Sequence, residues 1–210
     1  YKMATVMRPT GKNAHVVLGF AGLLGALTGM SAAGLTVHEA NLEEKQETFR
    51  GFPWLLRLRY VMENANNLAQ AQALWQATNN TVGFNHGIGS AADNAMLIME
   101  TEAGYTAFFR DNDPREANAL VDGVHTGFPL VDAVWRTNHG YDPKIRSDFL
   151  WSQGPTSNTQ NRYMIIHDAL VDYATRNVPI GALEAVNITA VVGQKGANYF
   201  QCIPGTGGSN

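Results

Sequence analysis

Short apolar runs separated by glycine-containing and polar turns dominate the first forty residues. The runs lie at residues 4–8, 15–20, 23–30 and 35–39. Glycines inside the second and third runs would each weaken a helix by about 1 kcal/mol relative to alanine. Apolar runs of this length are typical of buried strands. The pattern therefore predicts a short strand followed by a three-stranded meander.

The stretch 27–44 organises the rest of the chain, because it predicts a β-hairpin that ends in polar residues. Residues 31–34 form the turn, where a glycine adopts a positive φ without a Cβ clash. Three polar residues, His38, Glu39 and Asn41, lie at the end of the second strand. Polar side chains at the end of an apolar strand are costly to bury unless they have partners or a function. They mark a candidate site, although a strand running out into solvent would show the same pattern.

A helical pattern follows a polar loop at residues 43–50. Apolar residues recur at helical spacing over 54–62, with Pro53 suited to the first turn. The same spacing directs Arg57, Arg59 and Glu63 toward solvent. A second helix is predicted over 68–78, capped by the Asn66-Asn67 pair.

The second half of the chain alternates between loops, strands and helices. Residues 79–92 contain three glycines and are predicted to form a loop, whereas 95–100 and 105–109 alternate like the strands of a hairpin. Further predicted elements, in chain order, are an apolar run that ends as a strand before 136–140, helices over 143–151 and 161–174, and a strand over 188–192. This order suits an α+β fold in which helices cover two stacked antiparallel sheets. We expect residues 1–210 to form a single domain.

Composition excludes several classes of function. The chain has 210 residues, of which 45% are hydrophobic and 16% charged, and a net charge of −3. This gives no basic footprint for nucleic acid and no cationic cluster for a membrane surface. The longest apolar stretch, 16–30, is interrupted by glycines and too short to span a bilayer. The histidines are scattered without a zinc signature, so we expect no metal or cofactor.

Cys202 is the only cysteine, which rules out an internal disulfide framework. It lies in an apolar run before a proline, and a small buried thiol explains it better than a nucleophile paired with His38 or His139. Asn79 and Asn187 begin Asn-x-Thr glycosylation motifs, which permit a secretory route.

Several motifs, in order, resemble one enzyme superfamily. The pattern G-M-x-x-x-G-L-x-V-x-x-x-N over 29–41, Gly51-Phe52-Pro53 before a helix, the Arg136-Thr137-Asn138-His139 segment and the helix opening at Asn161-Arg162 are similar to those of the N-terminal-nucleophile (Ntn) hydrolases. The closest resemblance is to peptidase family C45, the acyl-CoA:6-aminopenicillanate acyltransferase-like proteins, and a more distant one is to the choloylglycine hydrolases. The resemblance implies a four-layer αββα sandwich.

The resemblance also implies roles for three residues. Asn138 matches an Asn that helps to form the oxyanion hole, a role that suits a carboxamide N–H donor. Asn41 matches a second oxyanion-hole Asn, although backbone N–H groups at Ala40 or Asn41 are an alternative. Arg162 matches an active-site Arg, which would lower the pKa of a nearby thiol. A turn asparagine and a surface arginine are the simpler interpretations of Asn138 and Arg162.

His38, Glu39 and His139 are candidates for shaping the acyl or amine pocket, although a lone histidine is more often only a satisfied polar residue. An Ntn hydrolase uses the side chain of its own first residue, most often Cys, with the freed α-amine as base. Tyr1 is not a nucleophile. We therefore expect the sequence to be a piece of a longer precursor, incomplete at both ends and processed by autoproteolysis.

The sequence leads to three functional hypotheses. The first is a cysteine-type Ntn amidohydrolase or acyltransferase that acts on an N-acyl amide or short peptide through an acyl-thioester. Its partner would be an N-terminal segment or second chain of the same precursor, and a homo-oligomer is compatible. The second is a catalytically inactive binding or structural protein with the same fold. The third is a lipid-directed amidase or phospholipase-like enzyme, with the apolar helix 54–62 beside its pocket. A lysosomal or secreted location is expected from the glycosylation motifs and the family.

Overall fold

The computed structural model describes residues 1–150 and 154–195, which divide into two compact units. The first unit comprises Tyr1–Asn118 and Pro129–Trp151, and the second comprises Ala119–Phe128 and Ser152–Asn210. The single domain stays a prediction.

The first unit is built on a seven-stranded antiparallel sheet whose strands follow chain order. Its strands are β1 (Lys2–Met7), β2 (His15–Phe20), β3 (Thr28–Ser31), β4 (Leu35–Asn41), β5 (Phe84–Ser90), β6 (Ala95–Glu102) and β7 (Tyr105–Phe109). The turn before β4 contains Gly34 at φ +78°, as predicted. The run 23–30 pairs only from Thr28 onward, because residues 23–27 are irregular, with bends at Gly25 and Leu27.

Two helices cover one face of this sheet and form the core with it. They are α1 (Trp54–Asn64) and α2 (Leu68–Gln76), and the side chain of Asn67 caps α2 by accepting a hydrogen bond from the Gln70 N–H. The core side chains come from both layers: Val17, Leu35, Val37, Leu58, Val61, Met62, Leu68, Ala71, Trp75, Ile88, Leu97 and Met99. The helical spacing read from the sequence therefore located this core correctly.

Arg57 corrects one prediction, because its side chain is buried rather than directed toward solvent. Its guanidinium lies 3.9 Å from the centroid of the Trp75 ring. It also donates to the backbone oxygen atoms of Trp75 and Thr78, at 2.6 and 3.0 Å. A helical pattern cannot reveal such a partner, since it comes from the end of the next helix.

The predicted loop at 79–92 is wrong, because Phe84–Ser90 forms β5 near the middle of the sheet. Its glycines are sites of close approach. A Cβ on Gly87 would stand 1.9 Å from the His38 ring on the neighbouring strand, and one on Gly89 would stand 2.6 Å from Thr36 Oγ1. Glycine in a strand interior marks such contacts as well as turns.

Two short helices complete the first unit. They are α3 (Pro114–Ala117) and α4 (Pro143–Asp148), and the latter falls within the predicted helix 143–151. No strand leads into residues 136–140, which corrects the prediction of a strand end there. The described structure around them consists of turns and a single bridge between Leu130 and Ala133.

The second unit contains the remaining helices and a small sheet. These are α5 (Asn158–Thr175), α6 (Ala182–Lys195), β8 (Leu120–Val121) and β9 (Val124–His125). Within this unit, Gln160 Nε2 donates to the Thr126 backbone oxygen at 2.6 Å, and the Tyr163 hydroxyl accepts from the Phe128 N–H. The predicted strand at 188–192 is wrong, since these residues lie inside α6.

The predicted α+β class is confirmed by the seven-stranded antiparallel sheet, the small second sheet and the helices. Among the helices of residues 1–150 and 154–195, none combines the length and the apolar character that a membrane crossing requires.

Candidate functional site

The face of the sheet opposite α1 and α2 carries polar side chains among apolar ones where β4, β5 and β6 run side by side. Side chains alternate between the two faces of a strand. Because Val37 and Ile88 point into the helix-covered core, Thr36, His38 and Ala40 of β4 share the other face. Asn85 lies opposite Ala40 on this face, and Glu100 of β6 lies opposite Asn85. We call it the polar face.

The 136–142 loop is tied to the polar face by these two buried side chains. Asn85 Nδ2 donates to the backbone oxygen atoms of Thr137 and His139, at 2.7 and 2.9 Å. Glu100 Oε2 accepts from the backbone N–H groups of Tyr141 and Asp142, at 2.8 Å each. One register pair of the sheet therefore holds both the middle and the end of the loop.

Arg136 fixes the start of the same loop through buried ion pairs. Its guanidinium donates to Glu100 at 2.7 Å and to Glu116 at 2.8 Å, and all three side chains are almost fully buried. Burial alone would lower the pKa of Arg136, but the two carboxylates outweigh it and raise that pKa above its usual range. The loop therefore contains a permanent buried cation.

Asn138 and Asn41, two of the predicted catalytic residues, are brought into direct contact. Asn138 Nδ2 donates to the Asn41 backbone oxygen at 2.8 Å, although the two residues are 97 positions apart in the sequence. Asn41 is exposed at the end of β4, and Asn138 is half-buried in the loop over it. The Asn41 side chain donates to Glu43 at 3.4 Å.

The three predicted substrate-binding residues lie in different surroundings. His38 is exposed on the polar face, whereas Glu39 belongs to the opposite, helix-covered face of the same strand. Burial raises the pKa of Glu39. His139 is buried, and its ring nitrogens contact Thr137 Oγ1 at 3.2 Å and the Tyr141 hydroxyl at 2.9 Å. This placement of His139 favours a part in holding the loop.

A cavity of about 730 Å³ lies within the first unit, beside the start of β4 and the end of β5. Thr36 of β4 and Gly89 of β5 line the cavity and belong to the polar face. Each is two residues away from His38 and Gly87, respectively, on its strand. Met96 lines it as well, and Arg110 is a cation in its wall. Its volume is within the range of small-molecule sites.

Glu44 is a buried carboxyl that sequence reasoning placed in a polar loop. Neither of its oxygen atoms accepts a hydrogen bond from the described residues. The pKa of Glu44 is raised to about 8, first by burial and then by the charges of Asp148 and Glu100, against the opposing effect of Lys144 and Lys45. The group is therefore mostly protonated at pH 7.

Arg162 lies near the start of α5 in the second unit, where its Nε donates to Asn158 at 2.9 Å. Its convergence with Asn41 and Asn138 stays a prediction. Asn79 is exposed in a loop and Asn187 is exposed on α6. Cys202 lies outside the described residues. Within the part of the chain that the structure describes, no cluster of His, Cys, Asp or Glu is suited to hold a metal ion.

Sequence reasoning did not assign an anchoring role to the residues that hold the site in place, namely Asn85, Glu100, Glu116 and Arg136. Asn85 lies in β5, which was predicted to be a loop because of its glycines. Glu100 carried a usable signal, since a carboxylate inside an apolar hairpin strand requires a partner.

Comparisons with known proteins agree with this architecture. The family model described as acyl-coenzyme A:6-aminopenicillanic acid acyl-transferase matches residues 1–180. No curated protein sequence matches. A solved structure of the N-acylethanolamine-hydrolyzing acid amidase ortholog from Caenorhabditis elegans is 13% identical with a TM-score of 0.54, covering 90% of this chain and 73% of that chain.

Two further solved structures are similar to parts of the chain. A variant of conjugated bile acid hydrolase from Clostridium perfringens is 16% identical with a TM-score of 0.53, covering 86% of this chain and 64% of that one. Penicillin V acylase from Agrobacterium tumefaciens is 18% identical with a TM-score of 0.40, covering 50% of this chain and 35% of that one. The chain thus spans less than two thirds of the length of these two proteins.

The first of these structures and the bile acid hydrolase share the fold of the chain, and the family model extends over most of its length. The chain therefore belongs to the acyl-coenzyme A:6-aminopenicillanic acid acyl-transferase family, within the Ntn-hydrolase type of fold.

Proposed function

We propose that this chain forms the oxyanion-binding part of an Ntn amidohydrolase or acyltransferase that acts on an N-acyl amide. The contact between Asn138 Nδ2 and the Asn41 backbone oxygen carries the proposal. It brings the two residues that match the family's oxyanion-hole positions to one point on the first unit. Family membership and the fold shared with amide-cleaving enzymes support the same reaction class.

The reaction proposed is acyl transfer through a thioester. A terminal Cys outside this chain attacks the amide carbonyl, and its proton passes to its own α-amine. The amine part of the substrate takes that proton and leaves, and the acyl group remains on the Cys as a thioester. Water or an acceptor amine then attacks the thioester, which releases the acyl product and regenerates the thiol. A carboxamide has two N–H donors, so Asn138 can hold Asn41 and the developing oxyanion together.

The cavity beside Thr36 and Gly89 is proposed to receive part of the substrate, because these two lining residues belong to the polar face that also carries His38. Arg162 is proposed to supply positive charge near the thiol. The basis of the lipid-directed alternative is weaker, because Leu58, Val61 and Met62 of α1 pack into the core rather than line this cavity.

The inactive-protein alternative differs from the active one in the nucleophile. The active hypothesis requires a Cys, Ser or Thr that becomes N-terminal in the whole protein, and the inactive alternative predicts none. Autoproteolysis and a lysosomal or secreted location belong to the active hypothesis.

The test uses the protein expressed from the full reading frame that contains this chain. Intact mass and N-terminal sequencing are expected to show a processed chain that begins with Cys. When turnover of an N-acyl amide is quenched with acid, the trapped intermediate should show the mass of the acyl group on that Cys. A reading frame without a Cys, Ser or Thr that becomes N-terminal, together with no turnover, would favour the inactive binding protein.

A further inference from the structure

Asn85 sits at the point where the sheet meets the 136–142 loop. It occupies the polar face of β5, where only 2% of its surface is exposed. Both of its hydrogen bonds run from the same Nδ2 atom to backbone oxygen atoms of the loop, on Thr137 and His139.

These two oxygen atoms lie on either side of Asn138. The Thr137 carbonyl belongs to the peptide group that carries the Asn138 N–H, and the His139 carbonyl belongs to the second peptide group after it. Holding both from one atom of a buried strand fixes the backbone from which the Asn138 side chain projects. The partner of that side chain, Asn41, pairs in register with Phe84, the neighbour of Asn85.

We propose that Asn85 is a positioning residue that sets the Asn138 carboxamide for oxyanion binding. This inference rests on the proposed function. Oxyanion donors act only when they are preorganised, and a misplacement of about 1 Å is able to reduce the rate by about 100-fold. Asn85 supplies the placement through Asn138 and does not contact the reacting atoms.

The other end of the Asn85 carboxamide supports this role. Its Oδ1 atom is buried and accepts no hydrogen bond from the described residues. A buried acceptor without a partner is unfavourable, so the carboxamide of Asn85 is held by its two donated hydrogen bonds to the loop. An Asp at this position would keep the shape and lose both donors, and an Ala would lose the group entirely.

The test is a double-mutant cycle in the full processed protein, with turnover of an N-acyl amide as the readout. Asn85→Ala should lower kcat by about 10- to 100-fold and change KM by less than about threefold. The Asn85→Ala, Asn138→Ala double variant should be within about threefold of Asn138→Ala alone, because Asn85 acts through Asn138. Asn85→Asp should match Asn85→Ala.

Asn80→Ala provides the matched control. Asn80 is also a buried carboxamide of the first unit, and its Nδ2 atom donates to the Tyr105 backbone oxygen and to Thr106 Oγ1, neither of which belongs to the 136–142 loop. It should keep the wild-type kcat, and its effects should add to those of Asn138→Ala.

Each outcome decides the matter. An Asn85→Ala variant with wild-type kcat, or losses that multiply in the double variant, would overturn the inference while Asn138→Ala still confirms the function. If neither alanine nor aspartate at this position yields folded protein, Asn85→Ser is assayed in the same cycle and judged by the same coupling. A wild-type protein that turns over no amide would instead refute the proposed function.

Discussion

The two faces of the seven-stranded sheet differ in the side chains that they carry and in how these side chains are held. The face under α1 and α2 is filled with aliphatic and aromatic side chains, whereas the polar face is built from Asn85, Glu100 and the loop that they bind. Apolar packing stabilises a fold without specifying direction, and hydrogen bonds specify positions. The difference indicates that one face supplies stability and the other holds Asn138 in place.

The arrangement of the polar face has a physical cost. Buried ion pairs gain little net stability, because desolvation of the charges offsets their attraction. Removing one partner is costly, since it leaves the other charge buried without compensation. Substitutions on the polar face should therefore affect both stability and activity, and those on the helix-covered face should affect stability alone.

The largest effect is expected from Arg136→Met. It leaves Glu100 and Glu116 buried without their cation, and should lower the free energy of unfolding by about 3–5 kcal/mol. Urea denaturation measures this. Arg59→Met is the control, since Arg59 forms a more exposed pair with Glu63 and should change stability by less than about 1 kcal/mol. Equal effects of the two variants would argue against the buried triad.

Leu58→Ala tests the helix-covered face. Leu58 is fully buried in the core, so the cavity left by alanine should cost about 2–5 kcal/mol. Turnover by the fraction that remains folded should keep the wild-type kcat. A fall in kcat without unfolding would show that the two faces are not separate in function.

Gly87→Ala tests the close approach of β4 and β5. A Cβ would clash with the His38 ring, and overpacking of this kind typically costs about 1–3 kcal/mol. His38→Ala in the same chain should restore most of the loss, because it removes the ring. Thermal unfolding of the single and double variants measures the recovery, and its absence would locate the strain in the backbone instead.

Glu44→Gln tests the buried carboxyl that accepts no hydrogen bond from the described residues. Burial raises the pKa of Glu44 from 4.5 in the unfolded chain to about 8 in the folded protein. Between these values the folded state holds a proton that the unfolded state releases, so stability is full below pH 4.5 and falls as the pH rises toward 8. One such group changes the free energy of unfolding by at most about 1.4 kcal/mol per pH unit.

The Gln variant should lose this contribution to the pH slope between pH 5 and 8. The measurement compares urea denaturation of the two proteins across that range. A slope that is the same in both would mean that Glu44 ionises as it does in water.

The sequence predicted secondary structure best where packing into the helix-covered core alone set the spacing of apolar residues. The strands at 2–7 and 15–20 and both helices over the core followed from apolar spacing. The strand Phe84–Ser90 did not, because its glycines meet side chains of a strand more than forty residues earlier. Residues 188–192 were misassigned because β-branched residues also occur in helices, where local propensity is a weak guide.

The residues of the candidate site likewise fall into those with a local sequence signal and those without one. Asn41 and Asn138 were predicted from a motif, and the structure shows the Asn138 side chain in contact with the Asn41 backbone oxygen. Asn85 and Arg136 were not found as anchors, since their importance depends on partners far away in the sequence. Long-range pairing of this kind leaves no local pattern.

The most direct test of the account is the effect of Asn138→Ala on turnover of an N-acyl amide by the processed full-length protein. Asn118→Ala, at an exposed carboxamide that ends α3, is the control. The account predicts that kcat falls by about 100- to 1,000-fold for Asn138→Ala with little change in KM, as for other oxyanion donors. A kcat within about threefold of the wild type would contradict it.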